Sequence, residues 1–185
     1  MIDDQEIRNL AAEFGVPENQ VRRDHLLSHL IHGLPLEDRV VFIGGTALNR
    51  THLPDVRLSE DLDVHLIEGN ADELVDRLLV EVRLEYPGIS VLSRTRRYDV
   101  ATHFLEVDGL RIQIQIISNR PEWLKLPTET TPVRLRYPDL QGSVDLVVPT
   151  VQAFGAMKLT AYVDRVAPRD LFDLKELAGR GALAD

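Results

Sequence analysis

The spacing of apolar residues predicts two helices at the start of the chain. Apolar positions recur every three or four residues in residues 3–14 and again from Pro17 onward, which is the spacing of one helical face. In the first segment they are Ile7, Leu10 and Ala11. In the second they are Val21, Leu26, Leu30 and Ile31. Gly33 and Pro35 then end the second helix.

Two strands with a short helix between them are predicted next. Val40–Ile43 is an unbroken apolar run, typical of a buried strand, and Gly44 and Gly45 then open the helix. In the second strand polar and apolar residues alternate, so successive side chains lie on opposite faces. One face carries Ser59, Asp61, Asp63 and His65. The other, which we expect to enter the core, carries Leu62, Val64 and Leu66.

Residues 70–118 predict one helix and three strands. Asn70 caps the helix with Glu73 at the third position, a variant of the capping box, and Pro87-Gly88 ends it. The buried stripe of this helix is Leu74, Leu78 and Val82. The strands are Ile89–Thr95, Asp99–Val107 and Leu110–Ser118. A turn at Asp108-Gly109 joins the last two into a hairpin.

Prolines punctuate residues 119–148, where we predict a loop and one or two short strands. The two candidate strands are Val133–Tyr137 and Val144–Val148. Two final helices follow, Thr150–Val166 and Pro168–Gly179.

Together these elements predict an α/β fold with a mixed central sheet, flanking helices and a C-terminal helical pair. Residues 1–148 would form the core unit with its N-terminal helices. Residues 149–185 would form a helical segment that completes the same compact unit.

The composition indicates one globular domain. The chain has 185 residues, 44% hydrophobic and 5% aromatic, so we expect an aliphatic core. It has no cysteine, which excludes disulfides and thiolate metal sites. The first residues are acidic, unlike a signal peptide, and no apolar run reaches membrane-spanning length. We therefore expect a cytoplasmic protein without a membrane partner.

The net charge argues against a broad surface that coats nucleic acid. The formal charge is -9, yet residues 94–136 carry eight Arg or Lys against five Asp or Glu, so this stretch is locally basic. Two interpretations remain open for it. Its arginines either pair with local carboxylates on a solvated sheet face, or form a patch that faces RNA or phosphate.

Three histidines lie on the second predicted helix, at positions 25, 29 and 32. Their spacing places two pairs on one helical face, as in some metal sites. No carboxylate partner is evident nearby, so we interpret this segment as a packing helix.

The alternating strand carries the first candidate chemistry. Asp61 and Asp63 share one face, where their charges repel, and a Mg2+ ion bound by oxygen ligands is the usual reason for such a pair. Gly44 and Gly45 would let a triphosphate approach the backbone, and the helix N-terminus beyond them offers unpaired N–H groups. A Gly-Gly turn or a solvated strand end is common by itself. Their combination predicts a site for a nucleotide and a metal.

The C-terminal helices carry a second group of candidates. Lys158 stands in an apolar helical stripe, and it is one of three lysines against eighteen arginines. Its ammonium either extends to the edge of the stripe or serves a phosphate contact, for which a compact charge suits. Asp170 stands where an acid complements the helix dipole, a structural role. Asp173 is not explained by capping and is the better functional candidate.

The motif around these aspartates resembles a known superfamily. Gly44-Gly45-Thr46, fourteen residues, then Asp61-Leu62-Asp63 resembles the motif of polymerase-β-like nucleotidyltransferases. The run Gly-Gly-Thr-Ala-Leu, then Leu53-Pro54 and residues 57–63, is similar to the AbiEii/MenT nucleotidyltransferase-like toxins.

That branch also carries a helix lysine and a later R-D-hydrophobic-x-D-hydrophobic stretch. In this chain these are Lys158 and residues 169–174. The resemblance therefore spans roughly residues 40–175, with the motifs in the same order.

The resemblance implies the toxic half of a bacterial toxin–antitoxin pair. The implied activity is transfer of nucleotides, with pyrimidines favoured, from NTP onto tRNA 3′ ends, which stops translation. The implied partners are NTP, with CTP favoured, the tRNA acceptor end and a cognate antitoxin, with Mg2+ as cofactor.

The resemblance also assigns roles to residues of this chain. The implied catalytic residues are Asp61, Asp63, Lys158 and Asp173. The implied nucleotide-binding residues are Gly44, Gly45, Thr46, Ser59 and Lys158. Mg2+ would be held by Asp61 and Asp63.

Two departures from the family leave alternatives open. The superfamily places a third carboxylate on a later strand, where this chain offers Gln113 and Gln115, so one or two metals remain open and Asp173 would have to substitute. Relatives carry a longer helical C-terminus, so RNA selection would rest on residues 94–136. The acidic net charge favours a small-molecule or protein acceptor instead, and the missing carboxylate favours a non-catalytic nucleotide-binding module.

Overall fold

The computed structural model describes residues 2–35, 40–54, 56–118, 125–140 and 142–182. Within these ranges the chain forms six helices and one seven-stranded sheet. Part of the predicted loop, residues 119–124 with Arg120 of the basic stretch, lies outside the described residues.

The predicted helices are confirmed. They are α1 Asp4–Phe14, α2 Glu18–His32, α3 Gly44–Arg50, α4 Ala71–Val82, α5 Val151–Arg165 and α6 Pro168–Gly179. Side-chain caps set where two of them begin: Asp3 accepts the N–H of Glu6 at 2.8 Å, and Asn70 accepts the N–H groups of Asp72 and Glu73. Among the described residues, no helix is long and apolar enough to cross a membrane.

The strands form one mixed sheet. They are β1 Val40–Ile43, β2 Asp61–Leu66, β3 Ser90–Arg97, β4 Val100–Val107, β5 Leu110–Ile117, β6 Thr128–Arg134 and β7 Ser143–Pro149. Their order is β3-β4-β5-β2-β1-β7-β6, so β3 and β6 are the edges. β2 runs antiparallel to β1 and parallel to β5, and β1 runs parallel to β7. The predicted mixed α/β fold with a C-terminal helical pair is confirmed.

One predicted strand is wrong. The strand expected at Val133–Tyr137 is replaced by β6, which ends at Arg134. Arg136 has a φ of 75°, which a strand cannot hold. Leu135 and Tyr137 are nevertheless buried, so the apolar alternation comes from an irregular segment that packs against the core.

The parallel pairing of β2 with β5 brings acids and amides together at the centre of the sheet. Asp61 is the partner of Gln113, and Asp63 is the partner of Gln115. Because alternate residues share a face, these four side chains project from the same side of the sheet.

A single buried cluster connects the sheet to helices at both ends of the chain. It includes the inward faces of α2 and α4 and the core face of the central strands. It also includes Phe154 of α5 and Leu177 of α6. The C-terminal pair therefore shares its core with the sheet.

A buried carboxylate, Asp24 of α2, connects four segments of the chain. Its Oδ1 accepts the backbone N–H of Ser59 at 2.9 Å. Its Oδ2 accepts the hydroxyl of Tyr137 at 2.9 Å and a guanidinium N–H of Arg136 at 3.1 Å. Oδ2 also lies 2.8 Å from Nη2 of Arg50, and both of these side chains are fully buried.

Arg50 extends this network from the last residue of α3. It donates to the carbonyl oxygens of Arg134 and Leu135 at 3.0 Å each and to the hydroxyl of Ser28 at 2.9 Å. A buried guanidinium requires both a countercharge and acceptors for its N–H groups. The end of α3 is therefore tied to α2 and to the segment after β6.

Asp24→Ala is expected to lower the free energy of unfolding by about 3–5 kcal/mol, because it leaves Arg50 buried without its countercharge. Asp4→Ala is the matched control. Asp4 pairs with Arg22 at 2.7 Å between exposed side chains, and such pairs contribute little to stability. Urea denaturation measures both, and equal losses would show that the Asp24 network adds no more than a surface ion pair.

Candidate functional site

Gly44 marks the place where the turn between β1 and α3 meets β2. Its φ is 79°, a conformation that residues with a Cβ rarely adopt. A Cβ built on Gly44 would overlap the carboxylate of Asp63. Only glycine therefore allows this turn to pass directly beside the aspartate.

Gly45 brings the same turn close to two cations. A Cβ built on it would lie 2.6 Å from Nη2 of Arg57 and 3.4 Å from Nζ of Lys158. The backbone of the turn is thus within reach of one acid and two cations. This arrangement fits the predicted close approach of phosphate to Gly44 and Gly45.

The two hydroxyl side chains predicted to bind the nucleotide, Thr46 and Ser59, lie in different surroundings. Thr46 lines the pocket beside the aspartates, and its hydroxyl donates to the carbonyl oxygen of Asp61 at 2.5 Å, which joins α3 to β2. Ser59 is 1% exposed, donates its N–H to Asp24 and does not contribute to the described pocket lining. A nucleotide contact by Thr46 remains a prediction, while Ser59 is placed to support the start of β2.

Asp61 and Asp63 both line one pocket. Burial, and then the charge of Asp61, raises the pKa of Asp63 to about 6. Burial also raises the pKa of Asp61, and the guanidinium of Arg169 lies 3.9 Å from Asp61 Oδ2, beyond hydrogen-bond distance. A pair of carboxylates destabilised in this way, with only oxygen donors, fits a hard divalent cation such as Mg2+.

Gln113 and Gln115 line the same pocket, next to the aspartates with which they are paired. A carboxamide can donate and accept hydrogen bonds, but it cannot take a proton at neutral pH. The position at which the resemblance predicts a third carboxylate therefore carries an amide.

Lys158 does not extend to the edge of its apolar stripe. Its side chain is 8% exposed, and its Nζ lies 2.7 Å from Asp173 Oδ2 and 3.2 Å from Asp170 Oδ1. Both carboxylates come from α6 and are fully buried. The ammonium is thus held at the pocket lining. This is where it would have to lie to contact a phosphate, the second of the two roles predicted for it.

Asp173 was expected on the active face, but its carboxylate is buried against two cations. Arg57 donates to both of its oxygens, from Nε at 3.2 Å and from Nη2 at 3.1 Å, and Lys158 occupies the remaining side of Oδ2. Asp173 does not belong to the described pocket lining. In this arrangement Asp173 holds two cations in place, and its catalytic role remains a prediction.

Asp170, one turn earlier on α6, also holds two cations in place. It accepts two hydrogen bonds from Arg165, at 2.7 and 2.8 Å, in addition to its contact with Lys158. Its interaction with the helix dipole is therefore not its main one.

The pocket has a volume of about 710 Å3, large enough for a nucleoside triphosphate. Its cationic lining residues are Arg57, Lys158, Arg165 and Arg169. Sequence reasoning missed the three arginines. Arg57 and Arg169 stand inside the family-like motifs and could have been singled out, whereas an arginine in the last turn of a helix, like Arg165, is too common to be informative.

A family model matches most of the chain. The family described as "Nucleotidyl transferase AbiEii toxin, Type IV TA system" matches residues 25–185. The matched range includes every predicted site residue. No curated protein sequence matches the chain significantly.

Two solved structures share the fold. The nucleotidyltransferase toxin MenT4 from Mycobacterium tuberculosis is 23% identical with a TM-score of 0.66, over 97% of this chain and 65% of that one. JHP933 from Helicobacter pylori is 21% identical with a TM-score of 0.60, over 88% of this chain and 67% of that one. The chain spans about two thirds of the length of these proteins. The predicted polymerase-β-like fold is confirmed.

Gly44→Ala is expected to disrupt the carboxylate pair, because the new Cβ would collide with Asp63. Gly109→Ala is the matched control, with a φ of 76° and no atom within 4 Å of its Cβ. Each loses about 1–2 kcal/mol of stability from backbone strain. Gly44→Ala should lose more and should bind Mg2+ at least ~10-fold more weakly, as urea denaturation and calorimetry would measure. Identical results for both variants would contradict the steric argument.

Asp63→Asn is expected to stabilise the metal-free protein increasingly as pH rises. The pKa of Asp63 is about 6 in the folded protein against 3.8 ordinarily. The folded state therefore retains a proton that the unfolded chain releases, and wild-type stability falls between about pH 4 and pH 7. The variant has no such pH-dependent loss. Relative to wild type, its free energy of unfolding should therefore have risen by at most about 3 kcal/mol at pH 8. Urea denaturation in EDTA measures it, and a constant difference across this pH range would refute the prediction.

Proposed function

The chain belongs to the AbiEii family of nucleotidyl transferase toxins, and from this premise we propose that it is a Mg2+-dependent nucleotidyltransferase that modifies tRNA. It would transfer nucleotides from NTP, with CTP favoured, to the 3′ end of tRNA and so block translation. As the toxin of a toxin–antitoxin pair it would act in the cytoplasm and be neutralised by a cognate antitoxin.

One observation carries the proposal. Asp61, Asp63 and Lys158 line one pocket, and the Gly44-Gly45 turn approaches both Asp63 and Lys158. A nucleoside triphosphate bound with Mg2+ needs carboxylates for the metal, cations for the phosphates and a turn without side chains for close approach. Residues 1–148 supply the acids and the turn, and the segment 149–185 supplies the lysine, so both are required for one site.

In the proposed reaction a ribose hydroxyl of the acceptor attacks the α-phosphorus in line, and pyrophosphate leaves. Mg2+ held by Asp61 and Asp63 would neutralise charge on the transferring phosphate. Lys158 would contact the phosphates with an ammonium whose position is already set by two buried carboxylates. Cations positioned in advance stabilise developing charge without reorganisation at the moment of reaction.

The amides beside the aspartates affect how the hydroxyl is activated. Gln113 and Gln115 can orient a hydroxyl by hydrogen bonding but cannot remove its proton. Both oxygens of Asp173 are engaged by cations, so it cannot take over this role. We therefore propose catalysis by positioning and charge stabilisation, with Asp61 and Asp63 as the carboxylates that hold Mg2+ in the pocket.

A second cavity favours RNA as the acceptor. It has a volume of about 410 Å3 and shares with the main pocket the lining residues Glu60, Asp61 and Gln113. Its other lining residues include Arg23, Arg111 and Phe104. Arginines beside an aromatic ring suit phosphates and stacked bases. We assign the acceptor strand to this cavity, because an incoming 3′ end would there reach Asp61.

The basic stretch contributes only part of this surface. Arg94 pairs with Asp72 and Asp76 between partly exposed side chains, as the alternative of pairing on a solvated face predicted. Arg136 instead pairs with Asp24 in the interior. Arg111 pairs with Glu106 at 2.8 Å on an exposed strand face. Such a surface pair costs little to exchange for a phosphate contact.

The decisive test is incubation of the protein with Mg2+, total tRNA and each labelled NTP in turn. Label is expected at the tRNA 3′ end, most strongly from CTP. Lys158→Met should lower kcat/KM by about 10²–10³-fold, since it removes a charge that stabilises the transition state. Lys175→Met is the matched control, because Lys175 is exposed on α6 and does not line the pocket.

The other outcomes separate the alternatives. Label in a small molecule or a protein, but not in RNA, would refute tRNA as acceptor and retain the chemistry. No label anywhere, together with growth inhibition that Asp61→Asn leaves unchanged, would refute the enzyme and favour a nucleotide-binding module.

A further inference from the structure

A cluster outside the pocket brings together two histidines and a carboxylate. His25 and His29 lie one turn apart on α2, and Asp139 reaches them from the segment after Tyr137. The expectation that no carboxylate partner lies near these histidines is therefore wrong. None of the three residues lines the pocket, and His32, the third histidine of the helix, is exposed and is not part of the cluster.

The three polar atoms converge on one point. Nε2 of His25 lies 2.8 Å from Oδ2 of Asp139 and 3.3 Å from Nε2 of His29, and His29 Nε2 lies 3.6 Å from the same carboxylate oxygen. Ligands of a tetrahedral zinc ion are separated by roughly 3.3 Å, given bond lengths of about 2.0–2.1 Å. A circle through the three atoms has a radius of roughly 1.9 Å, so a point just above their plane lies at bonding distance from all three.

The environment keeps both imidazoles in the form that binds metal. Burial lowers the pKa of both imidazoles, that of His29 to about 4. Neutral imidazoles are the metal-binding form. The two Nε2 atoms and the carboxylate oxygen can form only one good hydrogen bond among themselves, between His25 and Asp139. A cation bound by all three atoms would give each of them a partner.

The second ring nitrogen of His25 has an orienting partner. Its Nδ1 lies 2.5 Å from the hydroxyl of Tyr86, just after the end of α4. Metal-binding histidines commonly donate this second N–H to an oxygen, which sets the tautomer and the direction of the ring. The contact leaves Nε2 of His25 to face the point of convergence.

We propose that His25, His29 and Asp139 form a zinc site, with Nε2, Nε2 and Oδ2 as ligands and water as the fourth. Imidazole suits Zn2+ better than Mg2+, which prefers oxygen donors. The ligand side chains are 1%, 13% and 19% exposed, so the site is enclosed but open enough for one water. It is distinct from the Mg2+ pair in ligand type and in position.

The site has a structural role. It joins α2 to the segment around Tyr137, whose ring packs edge-to-face on His25 at 4.8 Å between centroids, and whose hydroxyl contacts Asp24. Bound Zn2+ would therefore lock the same segments that the Asp24 network connects, from the opposite side of Tyr137.

The test uses Zn2+ and Co2+ alone, on protein treated with EDTA and carrying Asp61→Asn and Asp63→Asn, so that the pocket carboxylates cannot contribute. One equivalent of Zn2+ is expected by calorimetry, with a rise in Tm. Co2+ should give the visible absorption of a tetrahedral site. Zinc-edge anomalous scattering from a crystal would locate the ion between the three side chains.

His29→Gln and Asp139→Asn, each added to this background, should weaken Zn2+ binding at least ~10-fold and abolish the Co2+ spectrum. His32→Gln, on the same helix, should change neither. Circular dichroism of the metal-free variants distinguishes loss of Zn2+ binding from loss of folding. If one of the two ligand variants does not fold, the other still tests the site. Absence of stoichiometric Zn2+ binding, or binding that survives both ligand substitutions, would overturn the proposal.

Discussion

The carboxylate of Asp24 is the constraint on which the position of the site depends. It accepts from Ser59, just before β2, and it neutralises Arg50, the last residue of α3. The two halves of the site, the glycine turn at the start of α3 and the aspartates of β2, are thus tied to one buried group. A buried ion pair is weak evidence for net stability. Asp24 favours a single arrangement of these segments, because an arrangement that separated it from Arg50 would leave the buried guanidinium without its countercharge.

The C-terminal helices repeat this arrangement at the pocket. Asp170 and Asp173 are fully buried, and between them they engage Lys158, Arg57 and Arg165. Three cations held by two acids leave positive charge directed at the pocket. The acids do not face substrate themselves, but they restrict the lysine and the arginines to few rotamers. Both buried networks therefore hold charged groups in place before any ligand arrives.

Patterns within short stretches of the sequence predicted most of this structure. Helix and strand periods, the cap at Asn70 and the order of β1, α3 and β2 depend on neighbouring residues, and the structure bears them out. The strand at 133–137 was wrongly predicted, because the positive φ of Arg136 leaves no trace in the apolar pattern. The partners of Asp24 lie 35 and 113 residues away. Asp139 lies 114 residues from His25. Contacts at such separations are set by the tertiary fold, so local pattern identified neither the role of Asp24 nor the carboxylate that joins the histidines.

The two open edges of the sheet have a consequence for the protein in concentrated solution. An edge strand presents unpaired backbone groups that can recruit another chain and begin aggregation. β3 carries Arg96 and Arg97 on a largely exposed strand, and β6 carries Pro132, which has no N–H to donate. Charge repels an incoming strand at one edge, and the missing donor interrupts its ladder at the other. The arginines of β3 thus have a use that involves no nucleic acid: they keep separate copies of the chain from adding strands to one another.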